Sequence, residues 1–130
     1  MISRLTSQKG VDLVEKIFAT LIQRDVQFVL LGTGESRYEN FFRRAAAQFP
    51  GKVGVRIGFD EALAHQIEAG ADIFLMPSLF EPCGLNQMFS LKYGTIPIVR
   101  AVGGLKDSVE DYNAERSAGT GFVFDAYEAQ

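Results

Sequence analysis

Phe-Glu-Pro-Cys-Gly-Leu-Asn-Gln-Met-Phe-Ser-Leu-Lys-Tyr-Gly-Thr-Ile-Pro-Ile-Val-Arg-Ala-Val-Gly-Gly, residues 80–104, is the stretch that decides the fold class. It follows the apolar run Ile73–Met76, which Pro77 closes and which reads as a buried strand. Inside it, residues 85–93 read as a helix, with Gly94 suited to the C-cap. Residues 96–99 are the next apolar strand, and Gly103-Gly104 reads as a turn beyond it. Strand, helix, strand, with short β-branched strands, predicts parallel pairing with both sheet faces covered.

The same alternation extends outward. Residues 3–10 are a polar loop. Residues 11–24 carry Val14, Ile17, Phe18, Leu21 and Ile22 at helical spacing. Residues 26–31 are a strand ending at Gly32-Thr33-Gly34. Residues 38–49 read as a helix that Pro50-Gly51 stops. Val53–Ile57 is a strand, Asp60 caps a helix reaching about residue 68, and Phe122–Phe124 is a last strand. The expected fold is α/β, a doubly wound, Rossmann-like, mostly parallel sheet in one domain spanning 1–130. Residues 114–120 are expected to be the most mobile loop. Ile2 reads as part of a strand already under way, and Gln130 follows an apolar run. The sequence is therefore expected to be a fragment cut at both ends.

Composition narrows the function. Hydrophobic residues make up 47% and charged residues 22%, as in an ordinary globular domain. A net charge of −3 disfavours a nucleic-acid partner. Cys83 is the only cysteine and His65 the only histidine, which excludes an intrachain disulfide and a Cys/His zinc site. No apolar run reaches the roughly 20 residues of a membrane span.

Ligands of doubly wound sheets bind beyond the carboxyl ends of the strands. Four polar segments fall there: 4–9, 32–34, 58–61 and 78–87. Glu81 ends a strand, Pro82 holds it out of helical geometry, and Gly84 lets the backbone approach a ligand. The amides of Gly84, Leu85 and Asn86 open a helix and can bind an anion. A carboxylate for hydroxyls beside donors for phosphate oxygens suits a sugar nucleotide. The bland alternative is a loop carboxylate capping the next helix. Arg4 and Lys9 could neutralise a diphosphate, or could be two solvated loop charges. Gly32-Thr33-Gly34 lacks the third glycine of a dinucleotide fingerprint, since residue 37 is arginine, and a tight turn explains it. Phe59 could stack on a base or pack into the core. Cys83 is expected to be buried filler, and His65 structural or exposed.

Taken together, Ser-Arg-Leu-Thr-Ser-Gln-Lys-Gly at 3–10, Leu-Leu-Gly-Thr-Gly at 30–34, Phe-Glu-Pro-Cys-Gly-Leu-Asn-Gln at 80–87, Lys-Tyr-Gly-Thr-Ile-Pro-Ile-Val-Arg at 92–100 and Gly-Gly-Leu-Lys-Asp-Ser-Val at 103–109 resemble bacterial glycogen synthase and plastid starch synthase. The resemblance runs from residue 3 to about 125. It implies the C-terminal, donor-binding half of a two-domain GT-B glycosyltransferase. That enzyme would transfer glucose from ADP-glucose to the non-reducing end of an α-1,4-glucan with retention, without a metal or other cofactor. The chain has no Asp-x-Asp motif to hold a metal–diphosphate.

By the same resemblance, Arg4 and Lys9 would bind the distal phosphate and stabilise leaving ADP, and Glu81 would orient the glucose hydroxyls. Cys83, Gly84, Leu85, Asn86 and Gln87 would contact sugar and diphosphate through the backbone. Asn86 and Gln87 would lie nearest the phosphates. Phe59 would stack on adenine, and Gly34 would give the ligand room. Relatives commonly carry Thr at Asn86 and often Tyr at Phe59. The wider retaining group has a second Glu where this chain has Phe89, which favours the glycogen and starch synthase branch. Retention would then follow a front-face course in which the leaving phosphate helps deprotonate the acceptor. The glucan would be met by the N-terminal domain, so the fragment alone is expected to be inactive. The compartment implied is the bacterial cytoplasm, or the plastid stroma in a plant or alga. The alternatives are a GT-B transferase using a UDP- or GDP-sugar, and a non-catalytic nucleotide- or glucan-binding module.

Overall fold

The computed structural model describes residues 1–129. Five parallel strands alternate with helices: α1 (Val11–Leu21), β1 (Phe28–Gly32), α2 (Ser36–Gln48), β2 (Val53–Ile57), α3 (Glu61–Gly70), β3 (Ile73–Met76), α4 (Asn86–Tyr93), β4 (Ile96–Arg100), α5 (Gly103–Ser108) and β5 (Phe122–Phe124). The expected α/β class with parallel strands is what the chain adopts.

The sheet is built as two ladders rather than one. β1 pairs with β2, and β3 pairs with β4, which pairs with β5. Residues 1–5 run beside β1 in parallel, bridging at Ile2 to Leu31 and at Leu5 to Gly34. Ile2 also packs against the cluster of Phe74, Met76, Val99, Leu105 and Val109. The short first segment therefore stands between β1 and β3. Reading it as the first strand gives the order 3-2-1-4-5-6 of a doubly wound sheet.

Sequence chemistry explains the elements. Phe18, Phe28, Phe41 and Phe42 meet at centroid separations of 5.0–5.9 Å, mostly edge to face, and lock α1, β1 and α2 together. Asp60 caps α3 by accepting from the Leu63 amide at 2.9 Å, a bond worth about 1 kcal/mol. Gly94, at φ +81°, ends α4. β1 starts at Phe28, two residues later than expected, because Val26 and Gln27 are exposed and outside the ladder. Gly103-Gly104 opens a helix instead of forming a turn. Residues 114–120 fold back on themselves, with Asn113 and Ala118 exchanging backbone hydrogen bonds at 2.7 and 3.3 Å.

The amino end is unusual. The Met1 ammonium is buried and donates to Val29 O at 2.9 Å. Burial pushes its pKa down to about 5, while the Glu68 carboxylate on α3 pulls the other way. Burial likewise pushes Glu68 up.

Candidate functional site

Two loops form the site, and the backbone bolts them together. The first carries Arg4 and Lys9 and tightens into a 3-10 turn over Ser7–Lys9. The second, residues 77–85, joins β3 to α4. Gln8 O accepts from the Leu79 amide at 2.9 Å and from the Phe80 amide at 3.4 Å. Arg100, at the end of β4, braces the second loop by donating to Leu79 O at 3.0 Å and Ser78 O at 3.5 Å. The third support is the start of α5. The Gly104 amide donates to Pro82 O at 3.0 Å, and a Cβ on Gly103 would lie 2.1 Å from Glu81 O. A Cβ on Gly104 would lie 2.0 Å from Cys83 O. These glycines let a helix press directly on the loop.

This scaffold brings Lys9 Nζ to 2.5 Å from Glu81 Oε2, across 72 positions of sequence. Ser78 Oγ donates to the same carboxylate oxygen at 3.2 Å. Glu81 is 8% exposed, so the carboxylate is held by a cation and a hydroxyl rather than by water. That settles one alternative: Glu81 does not cap α4, which starts at Asn86 without a side-chain cap.

A cavity of about 470 Å³ opens beside the pair. Arg4, Lys9, Glu81, Cys83, Gly84, Leu85 and Asn86 all line it, together with Ser78 and the first segment. Among the described residues, no acceptor is found for the amides of Cys83 to Gln87. Met88 and Phe89 N–H, by contrast, already donate to Leu85 O at 2.9 and 3.1 Å. Five free donors thus stand where a helix begins, next to two cations.

The remaining sites are placed differently. Gln87 is buried, and its amide nitrogen turns inward onto Cys83 O (3.0 Å), Gly84 O (3.2 Å) and Ser108 Oγ (3.1 Å). Its side chain braces the loop, and Gln87 does not line the cavity. Asn86 Nδ2 donates to Ile2 O at 3.2 Å, tying the first segment to α4. Gly34 does not line the cavity. A Cβ there would lie 2.4 Å from Leu5 O, so the glycine makes room for the Arg4-bearing segment. The Gly34 amide and the Thr33 hydroxyl both donate to Glu39 Oε1, at 3.1 and 2.7 Å. Those bonds, the Thr33 one foremost, hold the Glu39 carboxyl below the usual range. The Gly-Thr-Gly turn is therefore occupied by a carboxylate of its own helix.

Cys83 is exposed, which corrects the expectation of a buried filler; the loop uses its carbonyl, not its thiol. Phe59 is 90% exposed beyond β2, so it is a free aromatic face and not a core ring. His65 packs on Phe89 and sits 3.1 Å from the Tyr93 hydroxyl. Sequence reading missed Arg100, Ser78 and Tyr127. The Tyr127 hydroxyl donates to Asp12 Oδ1 at 2.5 Å and lies 3.0 Å from Ser7 O, securing the cation-bearing turn. No spacing signal announces it.

The chain is similar to known glycosyl transferases. The family model for glycosyl transferases group 1 matches residues 1–130. A glycogen synthase of Anaeromyxobacter dehalogenans (strain 2CP-1) is 61% identical over all of this chain, which spans 27% of that protein. A glycogen synthase of Geobacillus thermodenitrificans is 60% identical over 99% of the chain and is again covered to 27%. Among solved structures, the catalytic domain of starch synthase IV from Arabidopsis thaliana, bound to ADP and acarbose, superposes with a TM-score of 0.87 at 40% identity. That match covers 98% of this chain and 27% of the other. The chain thus spans about a quarter of the length of the relatives it matches. On the family match over its whole length, the chain belongs to the group 1 glycosyl transferases.

Proposed function

We propose that the chain is the donor-binding domain of a glycogen or starch synthase, which transfers glucose from ADP-glucose to an α-1,4-glucan with retention. The observation that carries this reading is the cavity where Arg4, Lys9, Glu81 and residues 83–86, whose amides have no acceptor among the described residues, converge. A nucleoside diphosphate sugar needs that set. Lys9, Arg4 and the amides offset the charge that grows on the departing diphosphate, an effect present in the transition state more than in the ground state. Glu81 accepts from glucose hydroxyls and fixes the sugar against the helix start. Phe59 supplies an exposed face for the adenine. The acceptor glucan is met by a facing domain outside this chain.

Binding of the diphosphate takes Lys9 over from Glu81, which frees the carboxylate for the sugar. Calorimetric titration with ADP, UDP and GDP is expected to give the tightest binding for ADP. Lys9→Ala is expected to weaken ADP at least about tenfold, the scale of one charge-assisted hydrogen bond. Tighter binding of UDP, or an unchanged ADP affinity in Lys9→Ala, contradicts the assignment. Glucan elongation from ADP-glucose by the chain alone would contradict the division of labour between domains.

A further inference from the structure

The backbones of the two site loops meet at Gln8 O, which lies under the amides of Leu79 and Phe80. One such point lets a loop pivot against the other, and the flexible four-carbon stem of a lysine carries the pivot out to its ammonium. Side chains supply a second point on the far side of the turn. The Tyr127 hydroxyl donates to Asp12 Oδ1 at 2.5 Å and stands 3.0 Å from Ser7 O. Ser7 O accepts from the Gly10 amide at 2.9 Å and so closes the turn that ends in Lys9. Asp12 lies in the first turn of α1, a position that suits a carboxylate. A hydroxyl bonded to a carboxylate makes one of the stronger hydrogen bonds. Burial, and then Asp12, push the Tyr127 phenol well above its ordinary pKa, so the proton stays on the donating oxygen. One phenol thus holds the turn both before and after Lys9.

Tyr127 is tied in its turn to the second loop, through Arg100. The guanidinium carbon lies 5.2 Å from the centroid of the Tyr127 ring. Nε donates to Asp125 O at 3.1 Å, on the segment that carries Tyr127. Nη1 donates to Leu79 O at 3.0 Å and to Ser78 O at 3.5 Å. Ser78 Oγ reaches Glu81 Oε2, and the same oxygen meets Lys9 Nζ. The contacts close into a ring that runs from Lys9 through Tyr127, Arg100, Ser78 and Glu81 back to Lys9. Neither Arg100 nor Tyr127 lines the cavity of about 470 Å³.

We propose that Arg100 and Tyr127 are positioning residues, which together set where the Lys9 ammonium and the Glu81 carboxylate stand without touching what binds between them. The proposal takes its ligand from the donor-site reading above and rests on it to that extent. Without the phenol hydroxyl the turn pivots about Gln8. Lys9 then meets a diphosphate from a wider spread of positions, and the cost of ordering it is charged against affinity. Arginine is required at position 100 because its planar fork serves three carbonyls and a ring at once, which an ammonium cannot do.

The test is a double-mutant cycle read by calorimetry with ADP. Tyr127→Phe keeps the ring beside Arg100 and removes only the hydroxyl. It is expected to weaken ADP about fivefold, and to have no effect on ADP affinity once Lys9 is alanine. Arg100→Lys keeps the charge and loses the fork, and is expected to show the same dependence on Lys9. Equal losses with and without Lys9 would mean that the two residues act on the fold at large, and would overturn the proposal. So would ADP affinity unchanged in Tyr127→Phe. Amide exchange in the free chain separates the clamp from the donor site. In Tyr127→Phe the Gly10 amide is expected to exchange at least about 10-fold faster. The Ala101 amide, bonded to Phe124 O at 2.8 Å, is expected to keep its rate. Faster exchange at Ala101 with none at Gly10 would show that the hydroxyl secures only the segment after β5, and would overturn the proposal. If the unaltered chain does not bind ADP, the donor-site reading falls, and the exchange rates alone decide whether the clamp fixes the turn.

Discussion

Gly10→Ala is expected to destabilise the domain by about 3 kcal/mol or more, in urea unfolding, and to displace Lys9 with it. Gly10 sits at φ +74°, ends the 3-10 turn and starts α1. A Cβ there would lie 2.1 Å from Pro77 O and 2.6 Å from Pro77 C, both backbone atoms. Two costs add: about 1 kcal/mol for the left-handed dihedral and the rest for driving two backbones apart. Gly51 separates them. It has φ +80° and nothing within 4 Å of its Cβ position. Gly51→Ala should therefore cost only the dihedral part, about 1 kcal/mol. If the two variants lose the same stability, the close packing of the Lys9 turn on the end of β3 is not what the glycine serves. Because that packing also sets the separation of Lys9 and Glu81, Gly10→Ala should weaken nucleotide binding even where the domain stays folded.

The second large effect is on pH. The Met1 amine falls from an ordinary 8.0 to about 5 on folding. Between those values the unfolded chain binds a proton that the native chain lacks, so stability rises with pH. The contribution is fully lost below pH 5 and fully regained above pH 8. Three pKa units correspond to about 4 kcal/mol, and partial relaxation of the chain end reduces this to about 2–4. Glu68 on α3 is the charged group acting on the amine. Asp25, Lys52 and Asp72 line the groove beside Met1 from exposed positions. Glu68 titrates with the opposite slope, because its folded pKa is raised above 4.5 and stability falls as pH passes upward through that range. Urea midpoints at pH 6 and pH 8, compared between the free and the Nα-acetylated chain, therefore isolate the amine. Acetylation of the Met1 nitrogen should flatten the profile. A profile already flat between pH 6 and 8 would show the ladder end to be frayed in solution.

Most of the secondary structure is legible in the sequence because periodicity is a local property. The apolar spacing of 11–24 and the Asp60 cap needed no partner to be read. What could not be read depends on contacts between distant segments. Gly103-Gly104 looks like a turn until the carbonyls of Glu81 and Cys83 are seen pressing on it; only then is the helix start intelligible. Gln87 belongs to the site by spacing, yet its side chain turns inward, because three acceptors of two other segments lie on that side. The resemblance implies that Gly34 gives a ligand room, and the room is taken by Leu5. Arg4 and Lys9 are legible together as two cations of one loop, and Glu81 as a carboxylate at a strand end. That Lys9 and Glu81 hold each other is a property of the fold alone.

That pair has a kinetic meaning. An ammonium and a carboxylate 2.5 Å apart cancel at a distance, leaving a dipole whose field decays faster than that of a lone charge. Arg4, exposed, has no ion-pair partner among the described residues and is left as the cation of this cavity wall that an approaching diphosphate would sense. Arrival should then depend only weakly on ionic strength, and Lys9 should act after contact, through residence time. The wall thus divides its labour in time, with capture left to a surface arginine and retention to a lysine that must first be surrendered by its neighbour.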